Sequence, residues 1–281
     1  MSRVYHALER AEKEKREKII EEPSLRVFKE KEVIRKEETV IRFPEEKIET
    51  KPLPLREDIP VLTAQPNSYG AEQFRKLKTQ IFLRLPNPPH TILVTSAAPQ
   101  EGKTTVAANL AIAISHEIQR KAILIDGDLR KPSIYLENCS DSKGLSNYLS
   151  DRTPLSEILL DADGDNLRVI PAGPPSRRSA ELMDSKRMRD LLAHLCEIGR
   201  DTYIIIDSPP IMSASEPILL SKMVDGIILV VMAGQTPKES TKRATQSLDQ
   251  GKIIGIVFNQ KGVKPSNDYS KYYYRHYEIK K

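Results

Sequence analysis

Three groups of residues in this 281-residue chain have the types and spacing to do chemistry. The first is the run Ser96-Ala97-Ala98-Pro99-Gln100-Glu101-Gly102-Lys103-Thr104-Thr105, which follows an apolar stretch and opens a helical pattern. A loop between a strand and a helix cradles polyphosphate, because its backbone N–H groups and the helix N-terminus both attract anions. In such a loop Lys103 reaches the β- and γ-phosphates, and Thr104 offers its hydroxyl to Mg²⁺. The second group is acidic: Asp126 and Asp128 in Asp126-Gly127-Asp128-Leu129-Arg130-Lys131-Pro132, and Asp207 in Asp207-Ser208-Pro209-Pro210. Mg²⁺ takes oxygen ligands, usually one or two carboxylates completed by phosphates and waters. Three acids therefore leave one free to serve as a base. The third group is Tyr269, Tyr272, Tyr273, Tyr274 and Tyr277, five of the ten tyrosines, beside Lys271 and Arg275. Read on its own, this basic and aromatic tail suits either a neighbouring protein surface or stacking on single-stranded nucleic acid.

These residues need a frame. Short apolar runs at 91–95, 122–126, 167–170, 203–207, 226–231 and 253–258 predict six buried strands. Helical patterns over 103–118, 179–198, 217–223 and 237–250 alternate with them. Continuous apolar strands alternating with helices predict a mostly parallel sheet covered on both faces, a three-layer α/β/α domain. In such a sheet the carboxyl ends of the strands gather along one edge, where ligands bind. The phosphate loop, Asp126, Asp128 and Asp207 all fall at such ends and should converge.

The first 60 residues read differently. They hold 15 Lys/Arg and 15 Asp/Glu, and the first glycine of the chain is Gly70. A segment this charged cannot bury enough apolar surface to form a core. Ser2 opens a helical pattern that Pro23 ends, and 24–60 reads as a charged linker broken by Pro44, Pro52, Pro54 and Pro60. No run approaches the ~18–20 apolar residues of a membrane-spanning helix, and the charged start is no signal peptide. Cys139 and Cys196 are too few for a disulfide framework or a zinc site. Of the net charge of +5, residues 261–281 supply +4, from six Lys/Arg against Asp268 and Glu278. The basic balance therefore lies mostly in the tyrosine tail and needs no nucleic acid to account for it.

The three stretches Leu93–Thr105, Ile123–Arg130 and Ile204–Pro210 resemble the Walker A, Walker A′ and Walker B motifs of the bacterial tyrosine kinases (BY-kinases) of capsule and exopolysaccharide synthesis. The resemblance runs from about Tyr69 to the carboxyl terminus. It implies a P-loop NTPase domain over 61–265, with ATP and Mg²⁺ as cofactors. Ala98, Pro99, Gln100, Glu101, Gly102, Lys103, Thr104 and Thr105 would line the phosphates, and Asn259 would contact the adenine. Thr104, Asp128 and Asp207 would hold Mg²⁺. Lys103 and Arg130 belong to the implied catalytic set, and Asp126 would accept the tyrosine proton. The tail over 266–281 would be the autophosphorylated cluster, modified in trans by another subunit of a ring. Glu72, Arg75 and Lys78, in a helix over 72–85, are similar to the family's Glu-x-x-Arg-x-x-Arg oligomerisation helix. The chain departs from the pattern at Ala97, Gln100 and Lys78, and Arg177, Arg178 and Ser179 replace a Pro-Asn-Pro element.

Family members act with a membrane polysaccharide co-polymerase as activator. Here that activator would be a separate chain, docked in part through residues 2–22. The kinase would then sit in the cytoplasm at the inner face of the membrane, with a cognate tyrosine phosphatase as a further partner and no nucleic acid. The rival reading is a partition- or septum-site-type ATPase that binds DNA or membrane. Its loop carries an extra lysine where this chain has Ala98. A third class, an adaptor that binds ATP without transferring phosphate, is disfavoured by Lys103 and the three acids.

Overall fold

The computed structural model of the chain describes residues 67–134, 143–163 and 166–259. The charged segment 1–60 and the tail tyrosines Tyr269, Tyr272, Tyr273, Tyr274 and Tyr277 lie outside the described residues. Seven strands form one sheet: β1 (Thr91–Ser96), β2 (Lys121–Asp126), β3 (Leu160–Asp163), β4 (Leu167–Ile170), β5 (Thr202–Asp207), β6 (Gly226–Met232) and β7 (Ile253–Asn259). Their order is β3-β4-β2-β5-β1-β6-β7. Every pair is parallel except β3 with β4. The six predicted strands are all present. β3 is an additional antiparallel edge, four residues of mixed polarity that carry no periodic signal.

Among the described residues the α-helices are α1 (Tyr69–Arg84), α2 (Lys103–Ser115), α3 (Leu145–Asp151), α4 (Leu155–Ile158), α5 (Ser179–Met183), α6 (Lys186–Glu197), α7 (Glu216–Ser221) and α8 (Lys238–Ser247). Strands β1, β5 and β6 are buried along their whole length, so both faces of the central sheet are covered. Successive residues of a strand point to opposite faces. Ile204 and Ile206 of β5 accordingly join Met188, Leu191 and Leu195 of α6 in one core layer. Tyr203 and Ile205 join Leu110, Ile112 and Ile114 of α2 in the other. Residues Val106 to Ser115 of α2 are all buried. Its run of alanines, leucine and isoleucines is apolar all round, as a helix enclosed between the sheet and α1 must be.

The predicted helix over 179–198 is two helices. α5 ends at Met183, and the Ser185 hydroxyl accepts the Met188 N–H at 3.1 Å to start α6. A serine in mid-pattern caps a new helix more readily than it continues an old one. Among the described residues no helix is long and apolar enough to cross a membrane.

Candidate active site

The site lies where β1, β2 and β5 end. Strand β1 runs into the loop 97–102, which turns into α2 through Gly102 at φ 88°, a left-handed conformation. Gln100 also sits at positive φ, 64°. The loop is held from both sides. The buried Glu101 carboxylate accepts the Ala98 N–H at 3.0 Å, and its other oxygen accepts the Thr236 hydroxyl. From β7, the Asn259 amide donates to the Glu101 carbonyl at 3.0 Å. Sequence reading made Glu101 and Asn259 nucleotide contacts. In this structure both position the loop itself, and Thr236, which bears no local signal, completes the clamp.

At the start of α2, Lys103 Nζ stands 3.3 Å from the Thr104 hydroxyl. That hydroxyl donates to Asp207 Oδ2 at 2.6 Å. Ser133, which sequence reading missed, joins the same cluster, with its Oγ 3.2 Å from Thr104 Oγ1 and 3.3 Å from Asp207 Oδ2. Asp207 is fully buried, and its Oδ1 has no hydrogen-bond partner among the described residues. Burial raises its pKa above the usual carboxylate range, with the Lys103 charge and the Thr104 hydroxyl acting in the opposite direction.

Asp126 and Asp207 are register partners at the ends of β2 and β5. Asp126 is also fully buried. Its Oδ1 accepts the Asp128 N–H at 3.0 Å, and its Oδ2 accepts the Ser133 and Ile134 N–H groups, each at 2.9 Å. Burial, then the neighbouring Asp207 charge, push its pKa up to about 7. Three backbone amides thus orient Asp126 and leave one lone-pair site on Oδ1. Asp128 is nearly buried, and its Oδ1 accepts the Lys131 N–H at 3.0 Å. The three acids are neighbours, as their strand positions demand. Among the described residues they do not form a ready-made group of metal-ligating side chains. A hard cation that keeps waters and phosphate oxygens needs no such cage, and the unpartnered Asp207 Oδ1 beside two hydroxyls fits it.

Arg130 leaves this cluster sideways. Its Nε donates to Glu216 Oε1 and to Ser179 Oγ, both at 2.8 Å, and the Ser179 hydroxyl bonds to the same Glu216 oxygen. The Glu216 side chain is 1% exposed and that of Arg130 is 49% exposed. Neither Ser179 nor Glu216 was legible as a site residue, because each lies far along the chain from Arg130. Burial pushes the Glu216 pKa up, but the Ser179 hydroxyl and Arg130 outweigh it and hold the carboxyl below its ordinary range. A depressed carboxyl adds stability above its unfolded-state pKa, and that stability is lost as pH falls through the folded-state value. Glu216→Gln is therefore expected to cost roughly 1–2 kcal/mol at pH 7, the scale of a charged hydrogen bond to a half-exposed partner. Urea unfolding should show that deficit at pH 7 and a smaller one at pH 4.

On α1, Glu72 and Arg75 pair with each other at 3.2 Å on the surface. Lys78, the third residue of the expected oligomerisation set, pairs within the chain. Its side chain is 13% exposed and turns inward to Glu117 at 2.5 Å. The Lys78 hydrogen bond lowers the Glu117 pKa against the cost of burial. Unlike arginine, lysine is a compact point charge, and one carboxylate satisfies it.

No protein-family model matches the chain. Among curated proteins it is 32% identical over 219 residues to the tyrosine-protein kinase YwqD of Bacillus subtilis, covering 75% of this chain and 90% of that protein. It is 35% identical over 173 residues to the tyrosine-protein kinase CpsD of Streptococcus pneumoniae, covering 60% of this chain and 75% of the relative. Among solved structures, the chimerical protein CapA2B2 superposes with a TM-score of 0.64 at 26% identity, over 73% of this chain and 90% of that one. The kinase domain of Escherichia coli tyrosine kinase ETK gives a TM-score of 0.64 at 26% identity, over 73% and 82%. The cell division ATPase MinD of Pyrococcus furiosus shares the P-loop fold alone, with a TM-score of 0.51 at 20% identity over 66% and 79%. With a kinase relative matched over nine-tenths of its length and the phosphate loop facing the strand-end acids, the chain belongs to the bacterial tyrosine kinase (BY-kinase) family and is a protein-tyrosine kinase.

Proposed function

We propose that the chain is an ATP- and Mg²⁺-dependent autokinase whose acceptors are Tyr269, Tyr272, Tyr273, Tyr274 and Tyr277. The observation that carries this reading is the meeting of α2 and β5. The Thr104 hydroxyl donates to Asp207 at 2.6 Å beside Lys103, while Asp207 Oδ1 is left unpartnered. In this reading the loop 97–102 and Lys103 bind the ATP phosphates, and Thr104, Asp207 and Asp128 hold Mg²⁺ directly or through water. Bound there, Mg²⁺ supplies charge neutralisation to the phosphate oxygens. Lys103 stabilises the charge developing on the transferred group. Asp126 receives the phenolic proton at its remaining Oδ1 lone-pair site, the tyrosine oxygen takes the γ-phosphoryl group and ADP leaves. Asn259, which holds the loop, contacts the adenine from the same position.

The tail over 266–281 acts in trans, entering the site of another subunit of a ring. Glu72, Arg75 and Lys78 on α1 serve that contact between subunits, and Lys78 also pairs with Glu117 of its own chain. A separate membrane co-polymerase, docked in part through residues 2–22, activates the kinase and holds it at the cytoplasmic face, and a cognate phosphatase reverses the reaction. The cycle regulates capsule or exopolysaccharide polymerisation and export. Ala98, where a partition-type ATPase would place its extra lysine, supports the kinase over that alternative. The test is incubation of the phosphatase-treated protein with Mg-ATP and an activator fragment, followed by mass spectrometry. Phosphate on the tail cluster is expected. Its absence, with ATP hydrolysis retained, would favour the ATPase switch.

A further inference from the structure

Two ties bring distant basic residues together at the rim of the site. The Ser176 N–H donates to the Leu129 carbonyl at 2.8 Å. Three residues on, the Ser179 hydroxyl accepts from Arg130 Nε at 2.8 Å. Arg177 and Arg178 lie between these two ties, which bring the segment 176–179 beside residues 129–130. All four are exposed. Arg130 is oriented by the buried Glu216 through Nε alone, which leaves its Nη nitrogens without a protein partner among the described residues. Lys131, Arg177 and Arg178 make no ion pair among the described residues either. The nearby acids do not cancel the patch. Glu216 and Asp128 are buried against Arg130 and the Lys131 N–H, the exposed Asp184 pairs with Arg189, and Glu181 is a further exposed acid close in sequence among the described residues. The patch adjoins the site, since Ser133, two residues beyond Lys131, reaches Thr104 at 3.2 Å.

A planar guanidinium fixed from behind through Nε, with its Nη nitrogens open and further cations on the segment tied to it, matches a phosphate group. The unmodified tail does not match it, because residues 261–281 carry +4. Each phosphotyrosine changes that charge by about −1.5 to −2, so two to three phosphates turn the tail neutral or negative. We propose that Arg130, Lys131, Arg177 and Arg178 form a phosphotyrosine subsite for the tail of a second copy that has already been modified. This inference rests on the autokinase reading. The subsite favours a phosphorylated tail over a naive one, so that the first transfer promotes those that follow along Tyr272, Tyr273 and Tyr274. Multisite phosphorylation is then processive rather than random.

The test uses synthetic peptides, so that it does not depend on transfer by the protein. The full chain, treated with phosphatase and free of nucleotide, is titrated against a fluorescent peptide of residues 264–281. One form of the peptide is unmodified, and the other carries phosphate on Tyr272, Tyr273 and Tyr274. The phosphorylated form is expected to bind at least about tenfold tighter, the effect of roughly one charge-assisted hydrogen bond. In the Arg177→Glu/Arg178→Glu variant that preference should vanish while affinity for a fluorescent ATP analogue is unchanged. If the charge reversal unfolds the chain, Arg177→Gln/Arg178→Gln should show a reduced preference. Equal binding of the two peptides to the wild type would overturn the inference, as would a preference that survives both variants. Vesicles rich in phosphatidylglycerol that bind the wild type through these residues, when the phosphopeptide does not, would assign the patch to a membrane surface and overturn it as well. Failure here with tail phosphorylation intact would leave the autokinase reading standing. The reverse result would remove that reading while leaving a phosphate-binding patch.

Discussion

Lys103→Met is expected to lower tail phosphorylation by about 10³-fold, the scale of losing one preorganised charge at a developing anion. Lys103 opens α2, and its ammonium group lies 3.3 Å from the Thr104 hydroxyl. It is also the cation that opposes the burial-raised pKa of Asp207. No other basic side chain stands in the loop 96–105, so nothing within the loop can replace it. Methionine keeps the length and the apolar stem, and the fold should therefore persist. The measurement is phosphate incorporation into the tail at saturating Mg-ATP, with circular dichroism as a check on folding. Retention of more than about a tenth of the wild-type rate would show that another group carries the charge-stabilising role, since one lost anion contact is worth far more.

The second large effect is expected at Gly102. Its φ of 88° lies in the left-handed region, and a Cβ built there would come within 2.0 Å of Asn259 Nδ2. Gly102→Ala therefore meets two independent penalties. The left-handed conformation costs about 1–2 kcal/mol for a residue with a Cβ. Displacing Asn259 also breaks its 3.0 Å bond to the Glu101 carbonyl, which releases the loop from β7. A loop that must approach phosphate with its backbone tolerates little displacement, and a misplacement of about 1 Å can cost 10²-fold. Nucleotide affinity is accordingly expected to fall by roughly that factor, with a lowered thermal midpoint. Gly102→Ala/Asn259→Gly removes the collision but keeps both the strain and the loss of the Asn259 bond, and should recover little of the affinity. A single Gly102→Ala variant that binds ATP and melts like the wild type would exclude this loop geometry.

Much of this protein can be read from its sequence. Apolar runs of strand length, separated by helical patterns, determine a parallel sheet covered on both faces, because only such a sheet buries strands with no polar face. The phosphate loop at the end of β1 and the acids at the ends of β2 and β5 then must lie together, because parallel strands present their carboxyl ends on one edge. Composition alone separates the charged first 60 residues and the basic tyrosine tail from the core. Shorter elements were less legible. The four residues of β3 and the break at Ser185 are too short to sustain a period.

Tertiary structure decided what individual side chains do. Glu101 meets Thr236 across 135 positions, Arg130 meets Glu216 across 86, and Asn259 meets the Glu101 carbonyl across 158. Lys78 turns to Glu117 of its own chain, and Asp126 turns to the amides of a loop that begins two residues later. No periodicity or spacing encodes such pairs. A buried polar atom takes whichever partner the completed fold brings within hydrogen-bond distance, because leaving it unmade costs about 1–3 kcal/mol. The chemistry was written in residue types at strand ends. Which atoms carry it, and which only hold them in place, depended on the packing of the whole sheet.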